Sequence, residues 1–265
     1  MLRLILWGTL LVAVTSGRAQ SNLVANGSFE VYTKPPASWT APGIGDYSIP
    51  PGSTNIQGWN IITAPIAYVR AWPAANGTSS IDLSGDGTAI SGGVAQSITT
   101  QTGRQYTLSF HMSGNPGVSF PRDPSQKQMS VRIGGFQQVY TYDTAVEQNT
   151  FADMKWRRHE LLYVANTNLT KIEFLNVMGT NLTGPVIDNV ILQECIPPNL
   201  SIHQAGANVI VSWPDTVCPV LLESSAVVGP GSSWQTNSVA TVHTGGRSFV
   251  TNGMSTNRFY RLKLQ

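Results

Sequence analysis

Charge is scarce in this chain of 265 residues. Asp, Glu, Lys and Arg together make up 11%, against roughly a quarter in ordinary globular domains. The formal balance is only +2. Without a basic stripe for phosphates to follow, a nucleic-acid partner is excluded. "KWRRH" (155–159) is the densest basic run, and it reads as a solvated strand start around a core Trp156. Long apolar runs are lacking too: "LILWGTLLVAV" (4–14) stops at eleven residues, short of the ~20 that a transmembrane helix needs. Cysteine is almost missing, with only Cys195 and Cys218. Catalytic signatures are absent as well. There is no G-x-S-x-G, no H-E-x-x-H and no P-loop, so the sequence points away from an enzyme.

What is present begins with a leader. Arg3 precedes the apolar run, and Gly17 and Ala19 put small residues where a signal peptidase reads. Residues 1–19 are expected to be a signal peptide cleaved after Ala19, which makes the protein secreted, extracellular or displayed at the cell surface. "RLKLQ" carries no anchor, so release is expected rather than anchoring. In an exported protein two cysteines suggest one disulfide, Cys195–Cys218. It would close a loop of about 24 residues and contribute roughly 3 kcal/mol.

Polarity comes from Ser, Thr, Asn, Gln and Gly, and apolar residues alternate. "YTLSFHM" (106–112) sets Tyr106, Leu108, Phe110 and Met112 on one face. "MSVRI" (129–133), "HELLY" (159–163), "KIEFLNV" (171–177), "VIVSW" (209–213) and "RFYRLKL" (258–264) follow the same rule. Period-two runs between Gly, Asn and Pro predict antiparallel sheets with one buried face. The fold class is therefore all-β, a sandwich or jelly roll. At "CIPPNLS" (195–201) two consecutive prolines interrupt the pattern, and Pro cannot occupy a central strand. The expected organisation is one domain over 20–195, a Pro-rich hinge over 196–198, and a small β-sandwich module over 199–265.

Candidate chemistry is thin. The four histidines are scattered, and His111 and His159 read as packed strand residues rather than bases. Asp82 and Asp86 in "IDLSGDG" are the closest carboxylates that could act as a glycosidase pair, but the stretch reads better as a strand end and a Gly turn. Five N-x-S/T sequons, at Asn26, Asn76, Asn168, Asn181 and Asn199, do not by themselves establish glycosylation.

A neutral sugar presents an apolar face and a rim of hydroxyls. Proteins meet it with an aromatic platform and planar polar groups. Off the predicted strands, the sequence offers Trp39 and Tyr47, then Arg70 and Trp72, then Phe120 and Arg122. These six are the candidate ligand-binding residues, with Trp72 first. Trp59 and Trp156 read as core; for Trp72 both core and surface placements fit.

Several stretches carry a resemblance. "NLVANGSFE" (22–30), "IQGWNII" (56–62), "SSIDLSGDG" (79–87), "VAQSITTQTGRQYTLSFHMSGNP" (94–116) and "GPVIDNVIL" (184–192) resemble in order the choice-of-anchor C domain and its plant cell-wall relatives, the unknown-function-domain-642 family. That family is similar to galactose-binding-like jelly-roll β-sandwiches. Residues 199–265 resemble a small C-terminal β-module of secreted proteins from Verrucomicrobia-like bacteria. The resemblance implies that first and last strands lie together and share a structural calcium ion, with Glu30 and Asp188 giving carboxylates and the Asn26–Ser28 turn giving carbonyls. The alternative is that Asn26 and Asp188 only hydrogen-bond turn amides. The expected function is a secreted, non-catalytic protein that binds a cell-wall or extracellular polysaccharide. The alternative is a structural or adhesive surface protein that contacts proteins and has no sugar site.

Overall fold

The computed structural model describes residues 21–34, 47–85, 92–117, 124–178, 183–253 and 258–265. The leader at 1–19 and the candidates Trp39, Asp86, Phe120 and Arg122 lie outside the described residues. The chain divides into two compact units, Ser21–Cys195 and Ile196–Gln265. Among the described residues no helix is long and apolar enough to cross a membrane.

The first unit is a jelly-roll β-sandwich. Its strands are β1 (Tyr47–Ile49), β2 (Asn60–Ile62), β3 (Ile66–Val69), β4 (Ser80–Asp82), β5 (Gly93–Thr99), β6 (Gln105–Gly114), β7 (Gln126–Ile133), β8 (Phe136–Asp143), β9 (Arg157–Val164), β10 (Leu169–Asn176) and β11 (Pro185–Glu194). One short helix, α1 (Thr144–Glu147), follows β8. One sheet runs β1-β3-β4-β11-β6-β9 and the other β2-β5-β10-β7-β8, with every pairing antiparallel.

Alternation sets the core, as read from the sequence. On β6 the residues Tyr106, Leu108, Phe110 and Met112 are buried, and they meet Met129, Val131 and Ile133 of β7 and Ile172 and Phe174 of β10 in one apolar cluster. A one-residue slip would turn all of these outward, so register is strongly specified.

The first described segment is fastened to the last strand of this unit. Leu23 N–H donates to the Leu192 carbonyl at 2.8 Å. The Asn22 carboxamide donates to Val190 O at 3.0 Å and accepts from Leu192 N at 2.9 Å. Val190 N–H donates to Gly27 O at 2.8 Å. A Cβ at Gly27 would lie 2.0 Å from Val190 O, so only glycine permits this approach. The turn thereby delivers Phe29 fully into the core.

The second unit holds β12 (Ser201–Ala205), β13 (Asn208–Pro214), β14 (Val220–Ser225), β15 (Gln235–Thr236), β16 (Val242–Thr244), β17 (Arg247–Gly253) and β18 (Phe259–Leu264). They form sheets ordered β12-β13-β17-β16 and β15-β14-β18. Its core is thin: among the described residues Val211, Trp213, Leu222 and Val250 form its buried apolar cluster, and partly buried neighbours pack around them. Cys195 and Cys218 form a disulfide.

Candidate functional site

Strand alternation gives the six-stranded sheet an outer face as well as a core face. On β3, Tyr68 points into the core, while Ala67 and Val69 point out. On β11, Ile187 points in and Val186 out. These outward residues would be wet unless something covered them. The cover is an aromatic layer built from the segments after β3 and before β9. Trp72 and Met154 close over Ala67, Val69 and Val186, and half-buried Trp156 packs against the same cluster.

Trp72 is only 3% exposed, and its indole N–H donates to Ser80 Oγ at 2.8 Å. As an exposed platform it is therefore corrected: the apolar outer face of β3 and β11 needs a cover, and Trp72 supplies it. A ring does lie over it. Phe151 stacks on Trp72 with centroids 6.2 Å apart and planes 13° apart, and it is 41% exposed. Trp156 is tied down by its indole N–H, which donates to the Pro73 carbonyl at 3.0 Å. It is half-buried rather than core.

The charges around this layer are neutralised in pairs. Lys155 meets Asp153, Arg157 meets Glu147 and Arg158 meets Glu160. The basic run therefore presents little net field to a polyanion. Beside the layer, Asn149 is buried and donates to Gly114 O at 2.7 Å, while its Oδ1 has no hydrogen-bond partner. His159 packs on Phe110 and Tyr140 as a strand residue should. His111 departs from expectation. It alternates with the core residues Phe110 and Met112, and its Nδ1 meets Asn189 Nδ2 at 3.3 Å.

The other predicted ligand residues do not join Trp72. Tyr47 is half-buried against the core and pairs with Tyr68. Arg70 lies 5.7 Å from the ring centroid of Tyr32, which itself packs at a tilt against Tyr68 with centroids 4.5 Å apart. Arg70 and Tyr47 thus gather at Tyr32 and Tyr68, whereas Trp72 covers the opposite side of the sheet.

Of the expected calcium ligands, Asp188, Glu30 and Asn26 are engaged in hydrogen bonds. Asp188 is fully buried, with Oδ2 accepting from Asn76 N at 2.8 Å and Oδ1 from Asn189 N at 2.5 Å. Glu30 Oε1 accepts from Thr78 N and Ser79 N, both at 2.8 Å, and Oε2 accepts the Thr78 hydroxyl at 2.8 Å. The Asn26 carboxamide bridges Val31 and Gln57, its carbonyl accepts the Trp59 indole N–H, and Ser28 sits half-buried in the same turn. A calcium ion needs converging oxygens; as the side chains stand, the Glu30 and Asp188 carboxylates face N–H and O–H donors. The first turn and last strand share a loop, residues 76–79. Burial pushes the Asp188 carboxyl up to about 7, against the pull of the Asn76, Asn189 and Ala75 amides. For Glu30 burial also acts upward, but the Thr78 and Ser79 hydrogen bonds outweigh it and hold the group below its ordinary value.

Asp82 is a second buried carboxylate. Burial raises it to about 7. Its Oδ2 accepts from Asn115 Nδ2 at 2.7 Å, and Oδ1 accepts from Ser84 N at 2.9 Å and Gly184 N at 3.1 Å. A Cβ at Gly184 would stand 2.5 Å from that oxygen. Asp82 therefore laces β4 to the loops beside β6 and β11, and both of its oxygens are occupied.

Fold and site together define a β-sandwich domain with an aromatic layer on one outer face and buried carboxylates that pin its loops. The chain belongs to the family described as Protein of unknown function (DUF642), whose profile matches residues 22–193. No curated protein matches the chain. Among solved structures it is similar to TmCBM61 in complex with beta-1,4-galactotriose, at 14% identity and TM-score 0.42, covering 66% of this chain and 99% of that one. It is also similar to a family 35 carbohydrate binding module from Clostridium thermocellum, at 12% identity and TM-score 0.37, covering 51% and 90%. A family 16 carbohydrate binding module follows, at 14% identity and TM-score 0.37, covering 64% and 99%. At such values none of these likenesses carries weight for a site.

Proposed function

We propose that the protein is a secreted, non-catalytic glycan-binding protein whose first unit holds a neutral polysaccharide on its aromatic layer. One observation carries this reading: an exposed Phe151 ring lies parallel on a buried Trp72. Stacking on a fixed neighbour restrains Phe151, so less conformational entropy is lost when a ligand arrives. Its outer face suits the C–H face of a sugar ring. Half-buried Trp156 extends the apolar surface. The paired charges around it favour a neutral ligand over an acidic one.

The test is a pull-down of the secreted chain on insoluble neutral and acidic polysaccharides. Retention on at least one neutral polysaccharide, lost in Phe151→Ala, supports the reading. No retention on any of them removes it. A second reading, adhesion to proteins, draws on the apolar side chains Leu162, Val164 and Leu169, which are 45%, 57% and 63% exposed. Unchanged retention in Phe151→Ala, with loss in Leu162→Ser, would favour that one.

A further inference from the structure

The second unit carries a cluster of its own. Strand register sets Trp213, Ser248 and His243 in one row across β13, β17 and β16. Asp215 follows β13, and its N–H donates to Gly246 O at 3.0 Å. Ser248 Oγ donates to Asp215 Oδ1 at 2.6 Å and lies 2.9 Å from His243 Nδ1. The same imidazole nitrogen stands 3.4 Å from Asp215 Oδ1.

Serine, histidine and aspartate suggest a hydrolase, but the arrangement differs. In a nucleophilic relay the imidazole uses one nitrogen for the hydroxyl and the other for the carboxylate. Here one nitrogen meets both, and the serine proton is directed to the carboxylate. Ser248 is also only 2% exposed. The contacts orient two groups rather than activate one. Hydrogen bonding from Ser248, helped by His243 and Arg247, holds the Asp215 carboxyl below its ordinary value, so it is an acceptor at neutral pH. The His243 side chain is 68% exposed and that of Asp215 41%, so both have capacity for a ligand.

These groups line a cleft of about 280 Å³, together with Trp213, Thr216, Val220 and Thr241. Fixed planar polar groups, hydroxyls and an apolar wall converge there, which is the composition of a small-ligand site. We propose that this cleft is a separate saccharide-binding site, taking one sugar ring whose hydroxyls bond Asp215 and His243 and whose C–H groups rest on the apolar wall. It stands on its own residues and does not require the Phe151 platform. A protein with both would be bivalent toward a polysaccharide, and linked sites raise avidity without new contacts.

The test is NMR of the full mature chain with the methyl glycosides of glucose, galactose, mannose and xylose, each on the order of 10 mM to reveal a millimolar site. At least one glycoside should shift the Trp213 indole and His243 imidazole signals saturably. Asp215→Asn, which keeps the shape, and His243→Ala, at an exposed side chain, should each weaken the Trp213 shift by about tenfold. Phe151→Ala should leave it unchanged, so failure of the platform and failure of the cleft are separable. The proposal is overturned if none of the four glycosides gives a saturable shift at Trp213. It is equally overturned if the shift survives both cleft substitutions, or if Phe151→Ala abolishes it.

Discussion

Asn76 donates its backbone N–H to the carboxylate of Asp188, 112 positions later in the chain, at 2.8 Å. Two residues further on, Glu30 takes the amides of Thr78 and Ser79. One loop is thus held by carboxylates from both ends of the first unit. Asp188→Asn would place an NH₂ group against at least one N–H donor and leave a buried amide unsatisfied. The expected loss is about 1–3 kcal/mol, read as a lower urea midpoint with an unchanged slope. Glu30→Gln should cost less, because water can replace its partners at the surface.

Asp82 and Asp188 also set the response to pH. Both are raised to about 7 by burial, whereas unfolded aspartates titrate near ~4. Between those values the unfolded chain releases the proton and the folded chain keeps it. Stability from these groups is therefore present at low pH and is lost as pH rises from about 4 to about 7, by up to about 1.4 kcal/mol per pH unit per group. Glu30 acts oppositely: its lowered value adds stability above the ordinary carboxylate range, and this is lost as pH falls through that range. Melting temperature should accordingly drop between pH 5 and pH 8, and drop less in Asp188→Asn. A rise over that interval in both proteins would contradict the assignment.

The donors around Glu30 and Asp188 can hold this loop without an ion, and on that reading calcium adds no stability. Melting curves with and without a calcium chelator should coincide. A midpoint several degrees lower in chelator would show that the ion, not the loop amides, closes the sandwich.

How much of this was written in the sequence divides along physical lines. Core strands were legible because burial imposes period two: Tyr106, Leu108, Phe110 and Met112 face inward as their spacing says. The meeting of the "NGSFE" turn with "GPVIDNVIL" was legible through the family resemblance, with an ion site and turn hydrogen bonds both left open, because hydrogen-bond directions are not encoded in residue type. Trp72 was ambiguous since the six-stranded sheet buries part of its outer face as well. That second burial has no one-dimensional signature. Phe151 was missed for the same reason. Its only trace was an aromatic in the irregular stretch "NTFADMKW" (149–156), with no alternating partner to explain it.

The first unit should fold alone. Residues 20–195 carrying Cys195→Ser contain both sheets and the whole of the main apolar cluster. The fragment should melt cooperatively, and limited proteolysis of the reduced full chain should cut near residues 196–200. A fragment without a cooperative transition would show that residues beyond 195 complete its core.

The most direct measurement is Phe151→Ala, assayed together for retention on the polysaccharide that holds the native protein and for melting temperature. Phe151 is exposed, and its removal uncovers Trp72 without opening the main core. Retention should weaken by about 1–3 kcal/mol, the loss typical of an aromatic anchor, while the melting temperature stays nearly constant. Trp72→Ala should do more, costing about 3–5 kcal/mol of stability through the cavity left behind. Unaltered retention in Phe151→Ala, with its fold intact, would contradict the claim that the aromatic layer is the binding surface.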